Sequence, residues 1–278
     1  MLSKRIQSVS PSATVAITTR AKQMVAEGID VISFAAGEPD FNTPDCIKAA
    51  AITALNDGDT KYNPRKGKAL LEALAVKLQR DNNLTVTPDQ IVMTFGGKHA
   101  LYDAFQIVLD EGDRVLIPAP YWVSYPAMVK LAGGEPVALD TSPENSFKIT
   151  PQQILDNAAG AKVLVLNSPS NPTGVTYTRD ELKAIADAVL QTDLLVFSDE
   201  IYERLVYGDT ESTCFASLDP RLEERTLTFN GLAKTYAMTG WRLGWVAGPK
   251  EMIGSIRKLM SHETTNPVSF AQAGALAA

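Results

Sequence analysis

The chain has 278 residues, 45% of them apolar and 21% charged, with 26 basic against 32 acidic side chains and a formal net charge of −6. That balance argues against a dedicated nucleic-acid or anionic-membrane surface, and the apolar share is that of a globular chain with a substantial core, not a disordered one. Apolar runs such as 162–166 and 194–197 are far too short to span a bilayer, the N-terminus has no apolar signal-peptide stretch, and Cys46 and Cys214 stand far apart without a nearby histidine. The expectation is a reduced, cytoplasmic protein with neither a disulfide framework nor a metal site.

In chain order, residues 15–27, 44–57 and 67–82 carry helical periodicity, the second opening at Thr43-Pro44 with proline in the first turn. Strand-like runs follow at 91–95, 114–118, 135–139, 162–166, 194–198, 226–230 and 242–247, with helical stretches at 98–109, 121–132, 151–158 and 179–190 between them. This alternation, with near-continuously apolar strands, predicts an α/β fold: a mainly parallel seven-stranded sheet with helices on both faces. Only a short loop joins the last two strands, which allows an antiparallel strand there. Residues 267–278 begin with Pro and continue in helix formers without a capping glycine, which fits a helix cut in mid-course as well as a short terminal one.

In such a sheet, ligands sit beyond the C-terminal strand ends, so the residues there come first. Gly96-Gly97-Lys98-His99 opens a helix, where glycines permit close backbone approach and free N–H groups suit a phosphate. It is neither a Walker loop nor a GxGxxG signature, so any phosphate belongs to another kind of cofactor. Asp199 follows an apolar strand and needs a donor or cationic partner. Lys234, among Leu232, Ala233, Tyr236, Ala237 and Met238, is in a setting that lowers amine basicity and makes a nucleophile. Arg242 suits a phosphate, while Asn171-Pro172-Thr173-Gly174 reads as a turn and Trp122 and Tyr125 as aromatics beside the crevice. Each residue alone has an ordinary explanation: a cap for Asp199, a surface amine for Lys234, core for the aromatics. Together they place a phosphate cradle, a carboxylate, an amine, an arginine and an amide on one sheet edge, which points to a site.

Gly231-Leu232-Ala233-Lys234, continuing through Ala237-Met238 and Gly240 to Arg242-Leu243-Gly244, resembles the cofactor-attachment signature of the class-I, fold-type-I pyridoxal-phosphate aminotransferases. The blocks AAGEPDF (35–41), KYNPRKGKALLEALA (61–75), GGKHAL (96–101), PYWVSYP (120–126), NSPSNPTG (167–174) and SDEIYE (198–203) match the family in the same order, most closely its bacterial-type aspartate or aspartate/prephenate branch. The resemblance implies that Lys234 holds pyridoxal phosphate as an internal aldimine and then moves a proton between substrate Cα and cofactor C4′. It implies that Asp199 bonds the pyridine nitrogen, that Asn171 and Tyr202 bond the phenolic oxygen, and that Trp122 stacks on the ring. The backbone of Gly97 and Lys98, together with Arg242, would hold the phosphate, with Tyr62 reaching it from the neighbouring subunit of a homodimer, and Gly37 would lie over the substrate. Lys234, Asp199 and Tyr202 are thus the implied catalytic residues; Gly37, Trp122, Asn171, Thr14 and Lys98 the implied substrate contacts.

The last two, Lys98 and Thr14 of Ser12-Ala13-Thr14, are implied to bind a distal carboxylate, favouring ping-pong transamination between L-aspartate and 2-oxoglutarate. The TTNP stretch at 264–267 is a second implied cross-subunit contributor. The implied domains are an N-terminal arm with part of a small domain over 1–42 and a large cofactor-binding domain over 43–278. Relatives continue for about 100 further residues, carrying an arginine that clamps the substrate α-carboxylate, whereas no arginine follows Arg257 here. An incomplete small domain is therefore expected, and with it two alternatives: a catalytically impaired cofactor-binding module, or an aminotransferase or lyase of other specificity (prephenate, aromatic or alanine) on the same scaffold. His99, where glutamine is frequent, and Gly231, where some relatives carry a hydroxyl, are lesser departures.

Overall fold

The computed structural model describes residues 2–34, 37–62 and 64–278. The blocks at 35–41 and 61–75 therefore lie partly outside the described residues, at Ala35, Ala36 and Asn63.

All seven expected strands form: β1 Ile91–Thr94, β2 Arg114–Pro118, β3 Glu135–Leu139, β4 Ala161–Asn167, β5 Leu195–Asp199, β6 Thr226–Gly231 and β7 Gly244–Ala247. They make one sheet of order β1-β7-β6-β5-β4-β2-β3. The pairs β2–β3, β2–β4, β4–β5 and β5–β6 are parallel, while β7 runs antiparallel to both β6 and β1. The short β6–β7 connection gives this reversal, since a parallel crossover needs a dozen or more residues. The chain leaves β2 for β3 on one side and resumes with β4 on the other, so the loops after β2 and β4 diverge and open a crevice at the strand ends.

The helices cover both faces because the central strands β4, β5 and β6 are buried on both. One face packs under Gly97–Val108, Ser124–Leu131 and Lys250–Met260, around Phe105, Phe197 and Phe229, whose neighbouring rings lie 4.9 and 5.3 Å apart. The other is covered by Pro151–Asn157 and Arg179–Val189, through residues such as Ile154, Leu182 and Ile185. A third cluster joins Pro64–Asn82 and Ser269–Leu276 to the β1–β7 end of the sheet, with Leu78, Ile91 and Trp245 inside.

Three differences from the sequence expectation have physical reasons. The helix Lys250–Met260 was not anticipated, although Pro249 precedes it and Ile253, Ile256 and Met260 share its buried face. The helix expected at 121–132 runs only over Ser124–Leu131, leaving Trp122 in the turn before it. The helix Ala13–Ala26, expected at 15–27, buries none of its residues, and Val15, Ile17, Ile32, Phe34 and Phe41 are exposed.

Glycine 244 marks the closest backbone approach. A Cβ on it would lie 2.4 Å from Gly96 C and Gly97 N, so β7 and the turn after β1 touch main chain to main chain. Gly244→Ala is expected to lower stability by about 1–3 kcal/mol through overpacking, read as a drop in the urea midpoint; an unchanged midpoint would refute this contact as a constraint.

Candidate active site

Asp199 ends β5 with its side chain inside the protein, 5% exposed. Its Oδ2 accepts the Tyr125 hydroxyl at 2.6 Å and its Oδ1 the Ile201 N–H at 3.2 Å. Neither donor is cationic, and burial pushes the carboxyl up to about 6. The adjacent strand holds the surroundings in register: Asn167, paired with Asp199 across β4–β5, donates to the Asp199 carbonyl at 2.9 Å and accepts the Asn171 N–H at 2.8 Å. Asn171 in turn donates its amide Nδ2–H to the Tyr202 hydroxyl at 3.2 Å.

Lys234 follows β6 in the short helix Leu232–Thr235. Its Nζ donates to the Gly37 carbonyl and lies 5.7 Å from the centre of the Tyr202 ring. Burial lowers its basicity, Glu38 opposes that shift, and Arg242 adds to it. Glu38 itself accepts the Thr239 hydroxyl at 2.8 Å, tying the 37–38 stretch to the loop after Lys234. Gly37, Asn171, Tyr202 and Lys234 line one open cleft of about 930 Å³.

At the other end lies the turn after β1. Gly96 has φ +90°, and a Cβ there would lie 2.6 Å from Arg242 Nη2. Arg242, in the left-handed region at φ 55°, donates to the carbonyls of Thr239 at 2.8 Å and Phe95 at 3.3 Å. Helix Gly97–Val108 starts beside this guanidinium, and first-turn amides of a helix have no intrahelical acceptor. Lys98 lies 4.8 Å over the Trp122 ring, its basicity lowered by burial and then by Arg242. Trp122 meets Tyr125 edge-on at 5.3 Å.

The fold thus joins Asp199, Asn171, Tyr202, Lys234 and Gly37 through direct contacts or a shared cleft, and gathers Gly97, Lys98, Trp122 and Arg242 about the glycine turn. Thr14 stands on the exposed helix Ala13–Ala26, where its carbonyl accepts the Thr18 hydroxyl, and Tyr62 is 84% exposed. Tyr125, Asn167, Glu38 and Phe95 were missed as site-forming residues. Tyr125 stands three residues after Trp122, a spacing that could have singled it out; Asn167 becomes visible only once β4 is registered on β5.

These residues fit a phosphorylated, nitrogen-containing ring. A Cβ on Gly96 would strike the Arg242 guanidinium, Lys98 lies beside the same arginine, and a buried carboxyl held at about 6 would be relieved by a protonated nitrogen.

A family model described as aminotransferase class I and II matches residues 29–278. The chain belongs to this family. It is 51% identical to the aspartate aminotransferase of Bacillus subtilis (strain 168), covering all of this chain and 71% of that protein. It is 48% identical to the aspartate/prephenate aminotransferase of Cereibacter sphaeroides, with 100% and 70% covered. Among solved structures, Thermus thermophilus aspartate aminotransferase with maleate superposes with a TM-score of 0.95 at 44% identity, over 100% of this chain and 72% of that one. Aminotransferases of this type use pyridoxal phosphate. Among the described residues, no helix is long and apolar enough to cross a membrane.

Burial also raises Glu200 to about 7 and, with help from the charge of Glu263, Asp103 to about 8. Groups held above their unfolded values stabilise the fold at acidic pH, and that contribution is lost as pH rises through their folded pKa. The opposite holds for Asp81 and Asp89, each held at about 2 by neighbouring donors, Arg80 first for Asp81 and Lys250 first for Asp89; their contribution is lost only as pH falls from about 4 toward 2. Without cofactor, the thermal midpoint should therefore decline from about pH 5 to pH 8, less steeply in Asp199→Asn and Glu200→Gln; a midpoint rising across that window would contradict the assignment.

Proposed function

We propose that this aminotransferase exchanges the amino group of L-aspartate with a 2-oxo acid such as 2-oxoglutarate. The observation that carries the reading is one cleft holding an amine of lowered basicity beside the Asn171–Tyr202 pair, with buried Asp199 linked to Asn171 through Asn167. Pyridoxal phosphate, when bound, supplies a protonated ring that withdraws electrons and acidifies the substrate Cα–H bond.

The chain's own residues do the rest. Asp199 holds the proton on the ring nitrogen, while Tyr125 and Asn167 fix that carboxylate and its strand end. Asn171 and Tyr202 hydrogen-bond the phenolic oxygen, and Trp122 stacks on the ring. The backbone of Gly97 and Lys98, together with Arg242, would take the phosphate. Lys234 would carry the cofactor and act as the base that moves the substrate Cα proton. Asp199, the Asn171–Tyr202 pair and Trp122 would together hold the ring in one orientation relative to the substrate.

A dicarboxylate substrate is favoured by the cation at Lys98 in the crevice. The Thermus thermophilus relative is described with maleate, itself a dicarboxylate. Thr14 joins Lys98 at the distal carboxylate in this reading, and Gly37 covers the substrate. Residues 1–42 form an arm and part of a small domain beside the body at 43–278, a division supported by the unburied helix Ala13–Ala26. The exposed Tyr62 and the 264–267 stretch reach a second copy's site in a cytoplasmic homodimer. Prephenate is a second acceptor class, suggested by the Cereibacter sphaeroides relative.

The test is the near-ultraviolet and visible spectrum of the chain with pyridoxal phosphate, before and after L-aspartate. A visible band of the lysine-linked cofactor should form, be absent in Lys234→Ala, and convert to the pyridoxamine spectrum on adding aspartate. Asp199→Asn should slow the conversion by about 100-fold or more. Failure of the band to form overturns the cofactor assignment; a band indifferent to aspartate but responsive to an aromatic amino acid overturns the substrate.

A further inference from the structure

His99 is the second residue after the Gly96-Gly97 turn, and its ring nitrogens have separate partners. Nδ1 accepts the Phe95 backbone N–H at 3.3 Å. A nitrogen that accepts has a free electron pair, so in the neutral ring the proton sits on Nε2. Nε2 faces Glu263 Oε2 at 3.1 Å and Asp103 Oδ2 at 3.5 Å, both acceptors when ionised. Asp103 is fully buried one helical turn along, and burial with the Glu263 charge raises its carboxyl to about 8. With Nδ1 accepting from Phe95, the nearer carboxylate oxygen, that of Glu263, is placed to accept the Nε2–H.

The ligand atoms of His99, Asp103 and Glu263 lie within 4.8 Å of one another, a spacing that suits a cation. The Phe95 bond decides against a metal: with Nδ1 accepting, Nε2 carries the proton and has no pair to offer.

Phe95 is thereby held from two sides. Its N–H goes to His99, and its carbonyl accepts Arg242 Nη2 at 3.3 Å. Its ring stands edge-on to the imidazole at 5.7 Å. The next residue, Gly96, donates to the Thr94 carbonyl at 2.8 Å, while its own carbonyl accepts the Thr94 hydroxyl at 3.0 Å. The N–H and the carbonyl of Phe95 belong to consecutive peptide planes, so a shift of Phe95 that loses the His99 bond also disturbs the plane that leads into Gly96 and accepts Arg242.

We propose that His99 is a positioning residue for the phosphate cradle: with Nε2–H directed at Glu263 and Nδ1 accepting from Phe95, it pins the Phe95 amide and so sets Gly96, Gly97 and Arg242 in phosphate-binding register. This rests on the reading that the cradle holds the phosphate of pyridoxal phosphate.

The experiment compares wild type with His99→Asn and His99→Leu. Asparagine places an oxygen where Nδ1 was but cannot reach Glu263; leucine has the same length and no acceptor. Both lose the Glu263 contact, so their difference isolates the Phe95 bond. Affinity for pyridoxal phosphate, from a spectral titration, should stay within about twofold of wild type in His99→Asn and weaken about five- to tenfold in His99→Leu. Independently, the imidazole nitrogen shifts of His99 in the cofactor-free wild type should be those of the Nε2–H form. Equal affinities for the two variants, or an Nδ1–H ring, would overturn the inference while leaving the cofactor assignment intact. Wild type that binds no pyridoxal phosphate would overturn the assignment, and the inference with it.

Discussion

The carboxyl of Asp199 is the constraint on which the site depends. A carboxylate inside a protein is costly unless a cation or several donors meet it. Here it has one phenol and one backbone amide, and among the described residues no cation pairs with it. Burial therefore raises the group to about 6, and a cation placed against it would offset that cost. The fold keeps this unfavourable group in place because β5 lies in the middle of the sheet, with β4 and β6 bonded to either side.

The reversal of β7 decides how the parts meet. Had β7 run parallel to β6, the connection would have needed a long crossover, and Arg242 would not return to the turn after β1. Running antiparallel between β6 and β1, it sets Gly244 against Gly96 and Gly97. The lysine after β6 and the arginine before β7 then belong to one short loop that bridges the phosphate end and the amine end. Glycines at 96 and 244 follow from that contact: a side chain at either position would strike the guanidinium or the opposing backbone.

Much of this was legible in the sequence where strong local patterns agreed with the global fold. The strands were readable because their apolar runs admit no solvent face, and Lys234, Asp199 and Asn171 because each follows such a run. Tyr125 was not, since an aromatic after an apolar strand is most often core, and nothing local says that its hydroxyl ends on a carboxylate 74 positions away. Asn167 was hidden likewise, its partner being set by β4–β5 register. The helix Lys250–Met260 was overlooked because its spaced apolar residues follow a strand–turn stretch that drew the attention. Thr14 and Tyr62 came only from the resemblance; they stand exposed on a helix and a loop, and among the described residues no packing fixes where they point.

The electrostatics of the site follow from the same geometry. Lys98 and Lys234 both lose basicity through burial, and Arg242 repels both; Asp199 loses acidity through burial alone. At one end, then, the protein crowds positive charge, and at the other it buries an acid with nothing positive opposite. A ligand that is anionic at one end and carries a protonated nitrogen at the other would, in the proposed reading, oppose each of these shifts: its phosphate would offset the repulsion around Arg242 and its nitrogen would favour the ionised Asp199. Binding such a ligand and repairing the strained electrostatics are then the same event. The fold's destabilised charges supply selectivity for pyridoxal phosphate over a ligand that has only the phosphate or only the ring.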